Sequence, residues 1–588
     1  MYLSKKSSLF LRGISSLKNI HPRYISNEKG YNKALATVHL TPTYLQQDDS
    51  AKNFFMDIGN EGLRFAWAKY FIQSKAPELY SRTKTDAPKN IVIVGAGFAG
   101  LSAAYELSQV GHKVSILELQ NRVGGRAKTI YDGFSEGLHA EGGAMRLPLA
   151  EHFMTNHYIR LLGVPIREFQ NTNETNKTWI NLFGKNIRMQ DWEDNNLEHL
   201  KEFYPEAASF IESRGLKSID ELYEKTIEPV KKDLGKDPGV QDWKKWVERW
   251  SKYSVESFLR DGKVLNDEGL RPWPEDAIQA YKVTSYSPMT DRSLVEILRE
   301  DLGGWWSDEL WTPVAGMQSF AEKFMEKSLG WHHDVSLSDN INYGKRVNTI
   351  TMTKNGISVS GRSTFTGEEF SFNGDACIIT LPLPVLRQVT IEDKTDSMNL
   401  FKVRKVLSNV HYEPSTKILL QCKTRFWEKD VGTGGFSKTN LPIGQIHYPG
   451  DENRLPNTDR GILLSYTWGQ DAIILGAQPE QEAVTSAVRQ LKNIHPDIEK
   501  YFEVGKVQAW TRDPSAQLAF TYLNPSQYQY SLETLLMTDT HPLYLAGEAL
   551  SWTHGWIQGA LESGLRAAYN IFCKYEKPPS TMESKKLK

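Results

Sequence analysis

Ile91-Val92-Ile93-Val94 is an unbroken β-branched run that leads straight into Gly95-Ala96-Gly97-Phe98-Ala99-Gly100, and no other stretch restricts the fold as strongly. Such a run suits a strand buried on both faces, as a parallel sheet requires. Leu101, Ala104, Leu107 and Ser108 then recur at helical spacing up to Gly111, a natural helix stop, and Lys113 to Leu117 predicts a second strand ending in Glu118. Strand, helix and strand make the opening of a βαβ fold. In that setting the first glycine allows the tight turn, the second lets the backbone approach a pyrophosphate, and the third permits close packing of helix on strand. The helix N-terminus offers unpaired N–H groups and a partial positive charge to phosphates. Glu118, about twenty residues beyond the turn, is placed to accept hydrogen bonds from ribose hydroxyls and would repel a 2′-phosphate. The expectation is a dinucleotide site, other than one for NADP, built from Gly95, Ala96, Gly97, Ala99, Gly100 and Glu118.

The chain is long enough to surround such a ligand. Its 588 residues exceed one ordinary core and predict two or three packed units. A formal net charge of -1 gives no bulk attraction to nucleic acid or to an anionic membrane, so neither is expected as a partner. No apolar run of 18 or more residues occurs. The three cysteines, Cys377, Cys422 and Cys573, are far apart and follow no metal-ligand or disulfide spacing, so buried thiols and no metal are expected. From Met1 to Asn27 the chain carries Lys5, Lys6, Arg12, Lys18 and Arg23 with no acid before Glu28. Residues 1–35 therefore read either as a mitochondrial-type transit peptide or as a disordered basic tail of a cytoplasmic protein. The sequons at Asn173 and Asn176 are read as chance, and the C-terminal Ser584 to Lys588 is not a peroxisomal address.

Further along, a helical look around Leu63 to Ile72 gives way to a Pro- and Thr-containing linker, Thr83 to Pro88. Between Gln190 and Glu300 the chain is rich in Glu, Lys, Trp and Leu at helix-compatible spacing, for example Leu197, Leu200, Tyr204, Leu294, Ile297 and Leu298. Short β-runs then dominate at Thr349 to Thr353, Ile357 to Ser360 and Ala376 to Thr380, and recur at Thr416 to Cys422 and Gly461 to Thr467. Tyr544-Leu545-Ala546 reads as a last strand feeding a helix from Gly559 to Tyr575. No internal repeat is evident.

Four residues beyond Glu118 comes Arg122-Val123-Gly124-Gly125-Arg126. Paired glycines bring backbone close to a ligand, and a planar guanidinium binds phosphate bidentately. This string resembles the RxGGR signature of the flavin-containing amine oxidases. Glu141-Gly142-Gly143-Ala144-Met145-Arg146-Leu147-Pro148 looks like the stretch of L-amino-acid oxidases, the closest branch, in which the Met lies along the flavin and the Arg binds the substrate carboxylate. A buried carboxylate does need a permanent cation with two parallel donors, which suits Arg146. Leu545-Ala546-Gly547-Glu548 and His554-Gly555-Trp556-Ile557-Gln558-Gly559-Ala560 resemble the closing flavin segment of the same family. The resemblance implies that Glu548 bonds the ribityl chain, that a helix beginning near Ile557 aims its N-terminus at the flavin, and that Gly555 and Trp556 border the substrate. Lys417, in Ser415-Thr416-Lys417-Ile418, is similar to the family lysine that holds a water near flavin N5, and Tyr448 to the aromatic contact of the substrate carboxylate. Alternation along a strand allows only one of His447 and Tyr448 to face the pocket. Tyr466-Thr467-Trp468-Gly469 and Trp510-Thr511-Arg512-Asp513-Pro514 also look familiar from this group, without assigned roles. No catalytic histidine is placed by motif.

The resemblance covers about Lys89 to Tyr575 and implies an α/β protein. A discontinuous Rossmann-like FAD-binding domain (88–146, 312–395 and 540–576) would accompany a mixed-sheet substrate domain (147–190 and 396–536) and a helical insertion (191–305). Implied cofactor contacts are Gly95, Ala96, Gly97, Ala99, Gly100, Glu118, Arg122, Gly124, Gly125, Arg126, Gly143, Ala144, Met145, Arg146, Val347, Gly547, Glu548, Gly555, Trp556 and Ile557. Arg146, Tyr448, Gly555 and Trp556 are the implied substrate contacts, and Lys417, Arg146, Tyr448 and Trp556 the implied catalytic group. No cysteine lies between Ala516 and Glu548, so non-covalent FAD is expected. The implied reaction is oxidative deamination of an L-amino acid by O2, giving a 2-oxo acid, ammonia and hydrogen peroxide in a homodimer, mitochondrial or cytoplasmic. An amino-acid 2-monooxygenase and an amine or polyamine oxidase remain as alternatives.

Overall fold

A computed structural model describes Thr85 and residues 87–575, apart from short breaks at 174–176, 236–239, 262–268, 286–287, 303–305, 308, 330–331, 397–399, 451–453, 529–540 and 552. The basic N-terminal segment, the helical stretch around Leu63 to Ile72, half of the linker from Thr83, half of the two sequons, the C-terminal tail beyond Tyr575 and the Cys573 side chain lie outside the described residues.

The β-branched run forms strand Asn90–Val94 at the centre of a five-stranded sheet. Its neighbours are Lys113–Leu117 and Ala376–Ile379, with Ile341–Asn342 and Leu543–Leu545 at the two edges, and every pairing is parallel. Alternation divides the central strand between two cores. Ile91 and Ile93 pack into one with Leu101 and Leu565, while Val92 and Val94 enter the other with Ile379 and Leu545. All four side chains are at most 2% exposed. Each such side chain contributes about 1.5–3 kcal/mol on burial, which explains why the run carries no polar residue.

Helix Phe98–Val110 follows the glycine turn and ends at Gly111, whose φ of 98° is left-handed. Helix Ile557–Tyr575 crosses it closely. A Cβ on Gly564 would fall 2.3 Å from the Ala99 carbonyl oxygen, so glycine is required for this approach.

A seven-stranded sheet forms a second layer. Its order is Phe502–Ala509, Ser415–Cys422, Gly461–Trp468, Gln445–His447, Phe436–Thr439, Trp179–Leu182 and Lys185–Arg188. All pairings are antiparallel except that between Phe436–Thr439 and Trp179–Leu182. A four-stranded sheet around Lys345–Thr353 stands beside the parallel one. Helices from Met189–Asp194 to Leu294–Leu302 make up the intervening block. Their apolar faces, including Trp246, Trp250 and Phe258, join the core that also takes Val92 and Val94. The architecture is mixed α/β with several sheets, and the three layers meet around one large cavity.

Candidate active site

The cavity holds about 430 Å³ and runs from the glycine turn to the start of helix Ile557–Tyr575. Three chain segments build its cradle. In the turn, Gly95 has a φ of +105° and Gly100 abuts it so tightly that a Cβ would lie 2.0 Å from the Gly95 carbonyl oxygen. Gly97 instead faces open space, with nothing within 4 Å of an added Cβ. Thr380 donates to the carbonyls of Val94 (2.9 Å) and Gly95 (3.2 Å), pinning the turn to the neighbouring strand. Glu118 accepts the N–H groups of Ala96 and Gln120, each at 2.8 Å, and burial raises its carboxyl above the usual range. Gly124 donates its N–H to the Ala96 carbonyl at 2.8 Å, so the second glycine pair is bound to the first turn.

The residues expected to touch a cofactor divide by this geometry. Gly95, Gly97, Ala99, Glu118, Gly124, Gly125, Arg126, Gly143, Ala144, Met145, Arg146, Val347, Gly547, Glu548, Gly555, Trp556 and Ile557 line the cavity. Ala96 and Gly100 support the turn from behind. Arg122 does not line the cavity: its guanidinium turns onto its own loop, donating to the carbonyls of Gly125 (2.6 Å), Val123 (3.2 Å) and Ala127 (3.4 Å). It shapes the cradle rather than lining it. An elongated cavity with an open glycine, a helix N-terminus, a terminal carboxylate and Arg126 on its wall fits a dinucleotide cofactor.

Arg126 and Glu548 form a buried ion pair at 2.7 Å within this wall. Glu548 also accepts from the Thr521 N–H at 3.1 Å and the Gly555 N–H at 2.9 Å. Burial alone would raise the Glu548 carboxyl, but the Arg126 charge leads the effects that hold it below its ordinary value.

At the far end stands Arg146. Its guanidinium donates to Asn171 at 2.6 Å and lies 5.2 Å from the centre of the Trp306 ring. Burial lowers its pKa to about 10, which still leaves a cation at neutral pH. Trp306 contacts Trp556 at 5.9 Å between ring centres, and the Trp556 indole donates to Glu300 at 3.2 Å. Beneath lies a second buried group. Glu296 pairs with Arg299 at 2.7 Å and with His554 at 3.0 Å; burial pushes its carboxyl up, yet these partners bring it down to about 2.

Lys417 is 1% exposed on the fully buried strand Ser415–Cys422 and lies behind the cavity wall. Its ammonium donates to the carbonyls of Glu141 (3.2 Å) and Gly143 (2.7 Å) and sits 3.5 Å from the Met145 sulfur. Burial depresses this ammonium and raises the Glu141 carboxyl, each opposed by the other's charge. The Glu141 side chain accepts from the Met317 N–H at 2.7 Å, at the start of helix Met317–Glu326.

Tyr448 stands apart from these groups. It does not line the main cavity; its hydroxyl binds Ser437 at 2.7 Å and His495 at 2.9 Å, inside the core of the second layer. The neighbouring His447 does not line that cavity either; both residues border a smaller one beside Met145, and His447 is held neutral by burial and by the charges of Arg146 and Lys417. The aromatic groups that reach the Arg146 end are Tyr466 and Trp468, with ring centres 4.1 Å apart. Their motif was noticed without a role. Glu300 and Trp306 had no sequence signal beyond the helical periodicity around Leu294.

Comparison with known proteins places the chain in a family. The chain matches the family described as flavin containing amine oxidoreductase over residues 98–267 and 298–572. It is 30% identical over 495 residues to a putative L-amino-acid oxidase of Bacillus subtilis (strain 168), covering 82% of this chain and 95% of that one. An L-amino-acid oxidase of Bothrops atrox is 30% identical over 498 residues, covering 83% and 89% of the two chains. The L-amino acid oxidase bordonein-L of Crotalus durissus terrificus is 31% identical over 510 residues, covering 84% and 89%.

Proposed function

The chain belongs to the flavin-containing amine oxidoreductases, and from that premise we propose that it is an FAD-dependent L-amino-acid oxidase. The observation that carries the reading is Arg146, a half-buried guanidinium on the wall of the same cavity as the glycine turn. An amine substrate has no carboxylate to place there, whereas an amino acid does.

FAD would be held without a covalent link in a Rossmann-like domain, with Gly95, Gly97 and Arg126 available to its phosphates, Glu118 to its adenosine ribose, and Met145 and the Gly555–Ile557 segment to its flavin. When bound, it supplies the two-electron acceptor for the Cα–H bond of the substrate. Arg146 fixes the carboxylate and thereby the direction of that bond, a positioning effect of the kind that dominates when the cofactor carries the redox chemistry. Trp556 and Tyr466 wall the site, with Trp306 packed against Trp556, and keep water from the reacting carbon. Lys417 holds the Glu141–Met145 backbone in place and, with a water, serves as a proton carrier on that side. The resulting imino acid is hydrolysed to a 2-oxo acid and ammonia, and O2 leaves as hydrogen peroxide. The enzyme works as a homodimer in the mitochondrion or the cytoplasm.

Anaerobic addition of each standard L-amino acid to the purified yellow protein tests the reading. Bleaching of the flavin band by some of them, with peroxide and ammonia formed after air is readmitted, is expected. Bleaching by amines alone would overturn it in favour of an amine oxidase, and an amide product would identify a monooxygenase.

A further inference from the structure

Glu300 lies near the end of helix Leu294–Leu302, deep in the protein, yet 30% of its side chain stays open and it lines the main cavity. Among the described residues, the hydrogen bond its carboxylate accepts comes from the neutral Trp556 indole. The nearest cation, Arg299, is 3.8 Å away and is committed to Glu296 at 2.7 Å. Glu300 therefore presents a negative charge to the cavity that its neighbours only partly offset. Through Trp556 and Trp306 the contacts lead directly to Arg146, and the charges of Glu300 and Arg146 act on each other.

A carboxylate left partly open in a cavity is a site for an organic cation, whose N–H groups it accepts. A guanidinium in the same cavity takes a carboxylate. One small molecule carries both groups at a separation of several bonds, namely a basic amino acid. We propose that Glu300 is a specificity-determining residue that binds the cationic side chain of L-lysine, L-ornithine or L-arginine while Arg146 holds the substrate carboxylate. This rests on the reading of the chain as an L-amino-acid oxidase. The α-amine is the poorer occupant for Glu300. A fixed carboxylate there would stabilise the α-ammonium form, whose nitrogen lone pair is unavailable to the forming C=N bond.

The test compares L-lysine with L-norleucine, which has a similar chain but a neutral end, using the FAD-loaded enzyme and initial rates of peroxide release. The wild type is expected to favour lysine in kcat/KM by about tenfold or more, as a charge-assisted contact implies. Glu300→Gln should bring that ratio to near one, chiefly by raising KM for lysine, and Glu300→Asp should restore part of it. Equal turnover of the two substrates by the wild type overturns the Glu300 assignment, needs no variant, and leaves the oxidase reading standing. A fall by the same factor for both substrates in Glu300→Gln also overturns it, and means that the carboxylate serves the α-amine or the packing of Trp556. Failure of every L-amino acid to reduce the flavin overturns the oxidase reading as well.

Discussion

Arg126 and Glu548 are 422 residues apart in the chain and meet at 2.7 Å, the guanidinium 22% exposed and the carboxylate 6%. The pair joins the second glycine loop to the segment that begins the last helix, and both residues line the cavity. Removing one member leaves the other charge buried and unmatched, which costs about 3–5 kcal/mol. Glu548→Gln should lower the thermal midpoint and reduce the flavin retained per chain, read as the ratio of flavin to protein absorbance. Unchanged flavin content in a less stable protein would mean that the pair serves the fold alone.

The glycines of the turn should separate folding from cofactor binding. Gly100→Ala places a methyl 2.0 Å from a backbone oxygen, so it should destabilise the flavin-free protein by about 3 kcal/mol or more. Gly97 has a φ of −76° and open space before it. Gly97→Val should therefore keep the flavin-free thermal midpoint within a few degrees while weakening FAD affinity at least tenfold by titration. Equal destabilisation by the two variants would contradict this assignment.

Arg146→Ala should lower kcat/KM for L-amino acids by about a hundredfold or more, because the substrate carboxylate would enter a buried site without its partner. Arg146→Lys should recover only part, since an ammonium lacks the two parallel donors. Reduction of the flavin by simple amines, if any occurs, should be affected far less.

Tyr448→Phe removes a hydroxyl bonded to Ser437 and His495 away from the cavity. It should cost about 1 kcal/mol of stability and leave KM within about twofold of the wild type. Tyr466→Ala, which removes a ring from the cavity wall, should raise KM severalfold. A larger kinetic effect from Tyr448 than from Tyr466 would restore the original expectation.

Glu296 gives the pH dependence its sign. Its carboxyl is raised by burial but held down to about 2 by Arg299 and His554, below the ~4.3 of an unfolded glutamate. A carboxyl depressed on folding adds stability that is fully present above its unfolded pKa and is lost as pH falls through the folded one. The wild type should thus lose stability progressively from about pH 4.3 toward pH 2. Urea unfolding midpoints across that range should show a steeper acid slope for the wild type than for Glu296→Gln, with the variant less stable near neutrality.

The cofactor half of the molecule was legible because its chemistry is local. Strand, glycine turn, helix, strand and acid occupy Asn90 to Glu118 without interruption, and each position is dictated by backbone geometry that only a few residue types allow. The helix stop at Gly111 and the buried strand before Gly95 follow from the same local rules. The place of Arg146 on the cavity wall was legible from its motif, which lies close in sequence to the second glycine loop.

The substrate wall had no such signature. Tertiary packing leaves both His447 and Tyr448 off the main cavity, beside a smaller one, and brings Tyr466 to its wall instead. Arg122 and Arg126, four positions apart in one loop, part company because positive φ at Gly124 and Gly125 turns the first onto its own carbonyls and leaves the second on the wall. Glu300, Trp306 and Trp556 come from separate segments and acquire meaning only where packing places them together. Sequence alone determined the strand, glycine turn, helix and acid that form one end of the cavity, because they are contiguous in the backbone. What the cavity offers a substrate was decided by tertiary packing, which sets side chains from distant segments at hydrogen-bond distance and chooses which charges stay paired.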